Sequence, residues 1–525
     1  MPSFADRMKQ LASEELPEAP ITGPFGGVQS ELAPTQIETL GFLNTDNMIF
    51  RLGRAALRPG FTDLGTLGEP ILGSANFFDS VGDEHQVVMT PTKLYKFASG
   101  AFTEITGAGF TGSATQRFAW DVLNYKLCFS QGADKIWSWD GLAAGYVQTS
   151  VSAPAARYMA EIGLHLVAVD GSYPQRYIWS AAGDPTDWTS LTSGLNDNVS
   201  NLGPINGLMK IGQYGFGFHQ KGILQIVPTG VGLSPFNFFP IINTRQSVAA
   251  PYSLQRYDDQ GMEFAVFLGV DNVYIFNGTS IMPIGDSPLD GRRRIGARTQ
   301  ILQDVLTAGL ANCYGAISYT ISGNAFRAYW LLVPPNRIWV YNFDEGNWTR
   351  FTYGSKINTV APFVKQTVIR IMDLVGTIQD QSWSPATLNP NNPFLGFLLG
   401  FDSGVPGYVD MTNLSEVAGN VTSGQIMFGD RRHKHTIKKF RIAFVDRGSA
   451  TYSLTISNEQ GISQTRSFTL GSGSGQELSY VLPFSITGLR FIWTLNVAAE
   501  TPGELVEFAP IYDVAGEQRG GILEN

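Results

Sequence analysis

Six short segments of the chain alternate apolar or aromatic residues with polar ones, which is the period-two pattern of a half-buried β-strand. They are KLYKF (93–97), KIWSW (135–139), RYIWS (176–180), GILQI (222–226), NVYIF (272–276) and RIWVY (337–341). Most of them are followed by a turn rich in Gly, Asp or Asn and then by another strand-like stretch. The pattern predicts strand–turn–strand units repeated along the chain.

The spacing of these units indicates how they assemble. Counted from the second residue of each segment, the first four intervals are 42, 41, 46 and 50 residues, close to the ~40–50 residues of one four-stranded propeller blade. A single unit cannot bury both faces of its sheet, and radial closure removes most unpaired edges. We therefore expect an all-β fold with a β-propeller of about six blades over residues 41–360.

The fifth interval, 65 residues, is longer than the others. It contains an insertion at about 286–310, in which Ile301, Val305 and Leu306 have helical spacing after a basic loop. Insertions in repeat arrays usually form loops on one face. We expect a short helix here, and the sequence leaves open whether a second domain interrupts the propeller.

The rest of the chain has different patterns. Residues 1–40 predict a short N-terminal helix, over 3–16, and an extended arm that prolines punctuate. Residues 361–419 predict an irregular segment or a degenerate blade, because Pro, Asn and Gly are frequent from 384 to 410. Residues 420–525 contain regular short strands separated by Gly and Ser turns, which predicts a C-terminal β-sandwich-like domain.

Composition narrows the classes of protein. Charged residues make up 15% of the chain, against a typical ~25%, and the net charge of −9 argues against a protein that coats nucleic acid nonspecifically. The first residues lack the apolar run of a secretory signal. The most apolar window, 394–401, is under half the ~20 residues that a membrane-spanning helix needs. We expect a folded protein without a membrane span, made in the cytoplasm.

Few residues are candidates for chemistry. GAGFTG (107–112) resembles a phosphate-binding glycine pattern, but no strand–helix–strand unit follows it, so it predicts a turn. His433 and His435 would share one side of a strand, yet a third metal ligand is missing. Asp258 and Asp259 are adjacent on a predicted strand and would point to opposite faces. The sequence therefore predicts no catalytic residue, no cofactor and no metal site.

Two basic clusters interrupt the acidic background and are candidate contacts with DNA or with an acidic partner. The first contains Arg292, Arg293, Arg294 and Arg298. The second contains Arg431, Arg432, Lys434, Lys438 and Lys439. The alternative is that these charges prevent edge strands and loops from pairing with other chains.

Several stretches together carry a resemblance to a known family. They are RLGRAALRPGFTDLG (51–65), YIWSAAGDPTDWTS (177–190), VYNFDEGNWTRFTY (340–353) and the terminal sandwich pattern. With the blade repeats, this arrangement resembles the tail nozzle proteins of short-tailed bacteriophages, which include tail tubular protein B and the packaged-DNA stabilisation proteins. The likeness is one of arrangement over residues 40–515, and no single motif in it is diagnostic.

The resemblance implies a non-enzymatic virion protein, made in the host bacterial cytoplasm and assembled into the tail. It implies a homohexamer that forms a nozzle or hub beneath the adaptor and portal-side proteins, in contact with other tail proteins. This ring would retain the packaged double-stranded DNA and conduct it at ejection. An acidic channel wall suits that role because it offers few contacts to DNA phosphates.

Two alternatives remain open on the sequence. One is a carbohydrate-binding or glycan-processing propeller, which needs an exposed aromatic platform or a pair of carboxylates. The other is a receptor-binding protein at the distal end of a tail. The sequence leaves the blade count open as well.

Overall fold

A computed structural model describes residues 18–514, except 24, 38–39, 99, 108, 198–200, 242–245, 260, 289–293, 322–323, 365–394, 411–416, 429–432, 471–472, 474 and 499–502. The helix expected over residues 3–16 lies outside this part of the chain. Within the described residues, the helices fall short of the length and apolar character that crossing a bilayer requires.

Nearly all of the regular structure is β-strand, and most strands form four-stranded antiparallel sheets that follow one another along the chain. Sheet 1 contains Gly73–Phe78, Glu84–Met89, Leu94–Ala98 and Ala101–Ile105. Sheet 2 contains Ala119–Leu123, Lys126–Ser130, Trp137–Trp139 and Val147–Gln148. Sheet 3 contains Ala156–Ile162, His165–Asp170, Arg176–Trp179 and Gly194–Asp197.

The same order of strands continues through the second half of the array. Sheet 4 contains Ile205–Ile211, Tyr214–His219, Gly222–Pro228 and Phe236–Ile241. Sheet 5 contains Gln255–Asp259, Met262–Leu268, Val273–Phe276 and Ile281–Pro283. Sheet 6 contains Tyr314–Ile321, Asn324–Val333, Arg337–Asn342 and Asn347–Thr352.

The six aromatic segments found in the sequence coincide with the third strands of sheets 1 to 6. These strands are easy to detect because both of their faces are covered by neighbouring sheets. Trp139, Tyr177 and Trp339, for example, are buried. Large aromatic side chains supply most of the apolar area that such a strand buries.

A seventh sheet lies where the sequence predicts an irregular segment or a degenerate blade. It contains Ile357–Val364, Leu395–Phe401, Pro406–Asp410 and, from far earlier in the chain, Gly60–Asp63. The early strand pairs antiparallel with the last one, with Thr62 opposite Tyr408. The described residues therefore contain seven four-stranded sheets rather than the expected six or so. Sequence periodicity misses the seventh because one of its strands comes from another part of the chain.

Consecutive sheets pack against each other, largely through their first strands. Each interface has its own cluster of buried apolar side chains. Sheet 7 also contacts sheet 1, and Tyr95, Phe363, Leu398 and Tyr408 belong to the apolar cluster between them. The arrangement is propeller-like, since each small sheet covers both of its faces with neighbours.

Two further sheets form a sandwich. The first has the order Met48–Arg51, Arg54–Leu57, Glu504–Val514, His435–Val445 and Glu477–Gly488, with Ile21–Thr22 paired to Glu504–Val514. The second has the order Phe42–Asp46, Gly419–Ser423, Phe491–Val497, Thr451–Asn458 and Ser463–Thr469. Phe42, Phe50, Phe444, Trp493 and Phe508 belong to the apolar core that both sheets share.

Residues 42–57 thus pair with C-terminal strands, whereas the sequence predicts that the propeller starts at residue 41. The alternation of apolar residues identifies strands here but does not identify their partners. Pairing partners of strands that lie hundreds of residues apart are decided only when the two sandwich faces meet.

The predicted insertion contains a hairpin and a helix. The hairpin pairs Asp286–Pro288 with Arg294–Gly296, and the α-helix is Arg298–Ala308. Ile301 and Val305 lie on the buried face of the helix, but Leu306 is 86% exposed. Two 3-10 turns, at Pro251–Ser253 and Leu310–Asn312, complete the regular structure of the described residues.

Arg58 joins the sandwich to the propeller-like part. Its side chain is buried, and its guanidinium donates to Asn47 Oδ1 at 2.8 Å, to the Pro59 carbonyl at 2.8 Å and to the Thr352 carbonyl at 3.0 Å. The same group lies 3.8 Å from the centroid of the Tyr353 ring. A planar guanidinium with five donors suits three acceptors and an aromatic face at once.

We predict that Arg58→Ala lowers the free energy of unfolding by about 3 kcal/mol, because it removes the buried donors to the Pro59 and Thr352 carbonyls and the packing on Tyr353. Arg54→Ala is the matched control, since Arg54 is 42% exposed and pairs with Glu504 at the surface. The control should cost no more than about 1 kcal/mol. Urea-induced unfolding followed by tryptophan fluorescence measures both. Equal losses for the two variants would contradict the role given to Arg58.

Candidate functional site

One candidate site is a cavity of about 460 Å³ among the sheets. Every one of the seven sheets, or the turn that leads into it, contributes to its wall. The lining residues are Ser74, 118–122, 158–161, 207–210, 251, 252 and 254–256, 314–316 and 360–362. A pocket that all repeats share is the natural place to look for function in this molecule.

Charged side chains lie near the ends of three successive first strands. Asp121, Glu161 and Lys210 each lie one or two residues before the last residue of the strand, which a tight hairpin turn follows. In sheet 2 the turn residues Asn124 and Tyr125 both have positive φ, 51° and 60°, as the two-residue turns that match strand twist require. The repeated hairpin geometry brings these charges to one end of the cavity, which we call the hairpin end.

The charges at the hairpin end connect one sheet to the next. The Asp121 carboxylate accepts the Glu161 backbone N–H at 2.6 Å. The Glu161 carboxylate forms an ion pair with Lys210 of sheet 4. In the following interface, the Glu263 carboxylate accepts the Gly212 N–H at 2.7 Å. Four sheets are thereby linked by polar contacts that cross each interface.

Asp121 has the most perturbed environment of these groups. Burial raises the pKa of Asp121 above its ordinary value, and the backbone N–H groups of Glu161 and Val122 offset only part of this effect. The nearby charge of Glu161 raises the same pKa further. A carboxyl group with a raised pKa in a cavity is also the feature that a general acid needs.

The acidic pairs in the sequence have structural partners. Arg327 donates to Asp259 at 2.5 Å and through its Nε to Asp344 at 2.8 Å, so it bridges sheets 5 and 6. The Glu345 carboxylate accepts the Leu52 backbone N–H at 2.8 Å.

The described histidines have separate surroundings. His85 bonds Asp79 at 2.9 Å and His219 bonds the Tyr177 hydroxyl at 2.8 Å. His433 is exposed and precedes the strand that begins at the buried His435, so the expectation of two histidines on one strand is wrong. In the part of the chain that the structure describes, no group of three or more His, Cys, Asp or Glu residues is placed to hold a metal ion.

The first basic cluster lies in the insertion that follows sheet 5. Arg292 and Arg293 lie outside the described residues, and Arg294 begins a strand of the hairpin, with a side chain that is not described. Arg298 begins the helix and donates through its Nε to the Asp271 carbonyl at 2.7 Å. The described part of this cluster therefore makes a contact within the chain.

The second cluster lies on the sandwich. Arg431 and Arg432 are outside the described residues, whereas Lys434, Lys438 and Lys439 are exposed. Two consecutive lysines can both reach solvent because the strand has a β-bulge between Ile437 and Lys439. These three lysines, which we call the sandwich lysines, are the described candidates for contact with an acidic surface.

The sequence analysis did not single out Asp121, Glu161 or Lys210. A signal was present in WDVLNY (120–125), AEIGLH (160–165) and MKIGQY (209–214), where a charge precedes a two-residue turn in three successive repeats. Read alone, each charge looks like ordinary hairpin polarity. Only the packing of the sheets shows that the three lie together around one cavity.

Comparisons with known proteins give the fold little context. No family model matches the chain, and no curated protein matches it. Among solved structures, a galactotriose-bound form of the exo-beta-1,3-galactanase of Phanerochaete chrysosporium matches at 8% identity and a TM-score of 0.21, over 84% of this chain and 100% of that chain. The galactose-bound form of the same enzyme matches at 9% identity and a TM-score of 0.20, with the same coverage.

Both of these structures are of one galactan-degrading enzyme. TM-scores of 0.20 and 0.21 carry no argument about function.

We predict a specific pH dependence for Asp121→Asn. The folded-state pKa of Asp121 is raised. The protonated side chain therefore contributes fully to the free energy of unfolding below the unfolded-state pKa, near 3.8. This contribution is lost as the pH rises through the folded-state pKa. The variant should therefore gain stability relative to the natural chain as the pH rises above about 4. Urea unfolding of both proteins at a series of pH values measures this difference. If the variant instead loses stability relative to the natural chain as the pH rises, the pKa of Asp121 is lowered and the prediction is wrong.

We predict that the sandwich lysines contribute to the binding of duplex DNA. The triple variant K434A/K438A/K439A should reduce the slope of log K against log salt concentration by about 2 to 3, because each lost phosphate contact removes about 0.9. The control K126A/K135A/K221A removes the same charge from the propeller-like part. Fluorescence anisotropy across a salt series measures both. Identical slopes for the two triple variants would contradict a contact between the sandwich lysines and DNA.

Proposed function

We propose that this chain is a non-catalytic structural protein of a short-tailed bacteriophage tail, in which the seven sheets close into a propeller. The observation that carries the proposal is the bonding of the cavity carboxylates from sheet to sheet. Asp121 accepts a backbone N–H of the next sheet, and Glu161 pairs with Lys210. Carboxylates held in this way reinforce a wall, whereas a general acid or base needs access to the substrate proton.

Three observations support closure of the propeller. All seven sheets contribute to the wall of one cavity. An apolar cluster that includes Phe363 and Tyr408 lies between sheets 7 and 1. The strand Gly60–Asp63 completes sheet 7 and so ties an early part of the chain to a late one. A closed ring gives each sheet two neighbours and leaves few unpaired edges.

The two-part construction of the subunit is also what a tube wall requires. The sandwich is fixed to sheet 6 by buried hydrogen bonds, since Asn342 donates to the Phe50 carbonyl at 3.0 Å and the Thr349 hydroxyl donates to the Met48 carbonyl at 2.5 Å. Arg58 adds a third buried link. A subunit that does not hinge at this junction can present fixed surfaces to its neighbours, and a ring of identical head-to-tail interfaces closes only at a fixed rotation.

The copy number and the place in the particle follow from the resemblance to tail nozzle proteins. Six copies would surround the DNA exit channel at the head–tail connection, between the adaptor and the rest of the tail. With a net charge of −9, the subunits would offer DNA few attractive contacts along the channel, which favours sliding over capture. The sandwich lysines then provide local contacts against this background.

We predict that an antibody raised against the purified chain labels the tail close to the head in negative-stain images of the phage particles. Purified assemblies should have about six times the 57.2 kDa mass of one chain by mass photometry. Label at the distal tip would instead favour a receptor-binding protein. Particles that contain no label anywhere would contradict a tail location altogether.

A second candidate function, glycan processing, is favoured by one observation. Asp121 has a raised pKa and lies beside Glu161 in a cavity of about 460 Å³, and glycosidases use two carboxyl groups of which one is held protonated. Incubation of the purified chain with aryl glycosides separates the two functions. If the protein is structural, the natural chain and a D121N/E161Q variant should release equal amounts of the aryl group. Release that this variant abolishes would establish the second candidate.

A further inference from the structure

Arg117 is a buried cation without a partner for most of its guanidinium. It lies in the loop that leads into the first strand of sheet 2, with only 7% of its surface exposed. Its Nε and Nη1 atoms have no hydrogen-bond partner. Among the described residues, no carboxylate forms an ion pair with it. Buried charges in proteins are normally paired and hydrogen-bonded, because an isolated one is costly.

Arg117 lies beside the cavity, since the next residue of the chain, Phe118, lines it. Two of its neighbours, Tyr252 and Tyr314, line the cavity wall, and their rings lie parallel with centroids 6.3 Å apart. The Tyr252 hydroxyl donates to the Arg117 carbonyl at 3.5 Å. This contact involves the backbone of Arg117 and leaves Nε and Nη1 without an acceptor.

The carboxylate whose charge acts on Arg117 is already committed to other donors. Asp402 accepts from the Lys356 ammonium at 3.0 Å and from the Asn358 amide at 2.9 Å. Its charge favours the charged form of Arg117 from a distance, but burial dominates and lowers the pKa of Arg117. Asp402 therefore neutralises the charge of Arg117 only in part.

A second polar group with unused capacity lies next to Tyr314. The Thr359 hydroxyl is 1% exposed and has no partner with good hydrogen-bond geometry, although the Tyr314 hydroxyl lies close to it. A hydroxyl and a guanidinium both donate hydrogen bonds. The group that would satisfy them must therefore accept several hydrogen bonds and carry negative charge.

We propose that Arg117 and Thr359 form a binding site for a small oxyanion beside the central cavity, with Tyr252 and Tyr314 as its walls. Carboxylate and phosphate groups match the fork of a guanidinium, and such charge-assisted pairs are among the strongest hydrogen bonds in proteins. The ligand class is a carboxylate or a phosphate. The site does not depend on the tail assignment.

The test compares thermal unfolding of the full chain in inorganic phosphate, in acetate and in chloride at equal ionic strength. A ligand that binds only the folded state raises the Tm with its concentration. We expect phosphate or acetate to raise the Tm of the natural chain saturably, and the oxyanion with the larger shift identifies the class. Arg117→Met should lose this response. Arg157→Met, which removes an exposed arginine from the first strand of sheet 3, should keep it.

Isothermal titration of the natural chain with the more stabilising oxyanion measures binding without reliance on a variant. Saturable heat that is at least tenfold weaker in Arg117→Met than in Arg157→Met supports the site. Arg117→Met should also unfold in chloride at a temperature no lower than the natural chain, because it removes an uncompensated buried charge. Absence of saturable heat, or equal binding by both variants, would overturn the proposal.

Discussion

Each four-stranded sheet of this protein has two apolar faces, and both must be covered by neighbouring sheets because a sheet this small has no other way to exclude water from them. Seven apolar clusters fill the interfaces, including the one between sheet 7 and sheet 1. Each apolar face that a neighbouring sheet covers stabilises the fold by about 25 cal/mol per Å² of apolar surface removed from water. The strand Gly60–Asp63 is central to this arrangement because it supplies the fourth strand of sheet 7.

The same requirement explains where the polar contacts lie. Interfaces between sheets leave backbone and charged groups at their ends, and these groups need partners when water is excluded. Asp121, Glu161 and Lys210 meet that need across three sheets at the hairpin end of the cavity. Arg58 does so between the sandwich and sheet 6. Arg117 is the exception among these groups, and an unpaired buried charge beside a shared cavity is where a ligand site is expected.

The cavity therefore combines two chemical characters. At the hairpin end, Asp121 accepts a backbone N–H of the next sheet and Glu161 pairs with Lys210, which suits a rigid wall. Around Arg117, positive charge is left over beside two tyrosine rings. A structural subunit can contain both, because the first stabilises its shape and the second responds to an anion without any reaction. Enzymatic chemistry would require that Asp121 or Glu161 give up contacts that currently join sheets.

Sequence by itself determined the all-β class, the third strands of sheets 1 to 6 and the helix of the insertion, because alternation and helical spacing are local properties of the chain. Tertiary structure alone decided the seventh sheet, the pairing of residues 42–57 with the C-terminal strands and the meeting of charges around one cavity. These features depend on contacts between residues far apart in the chain, and strand pairing leaves no periodic trace of which distant partner a strand will find.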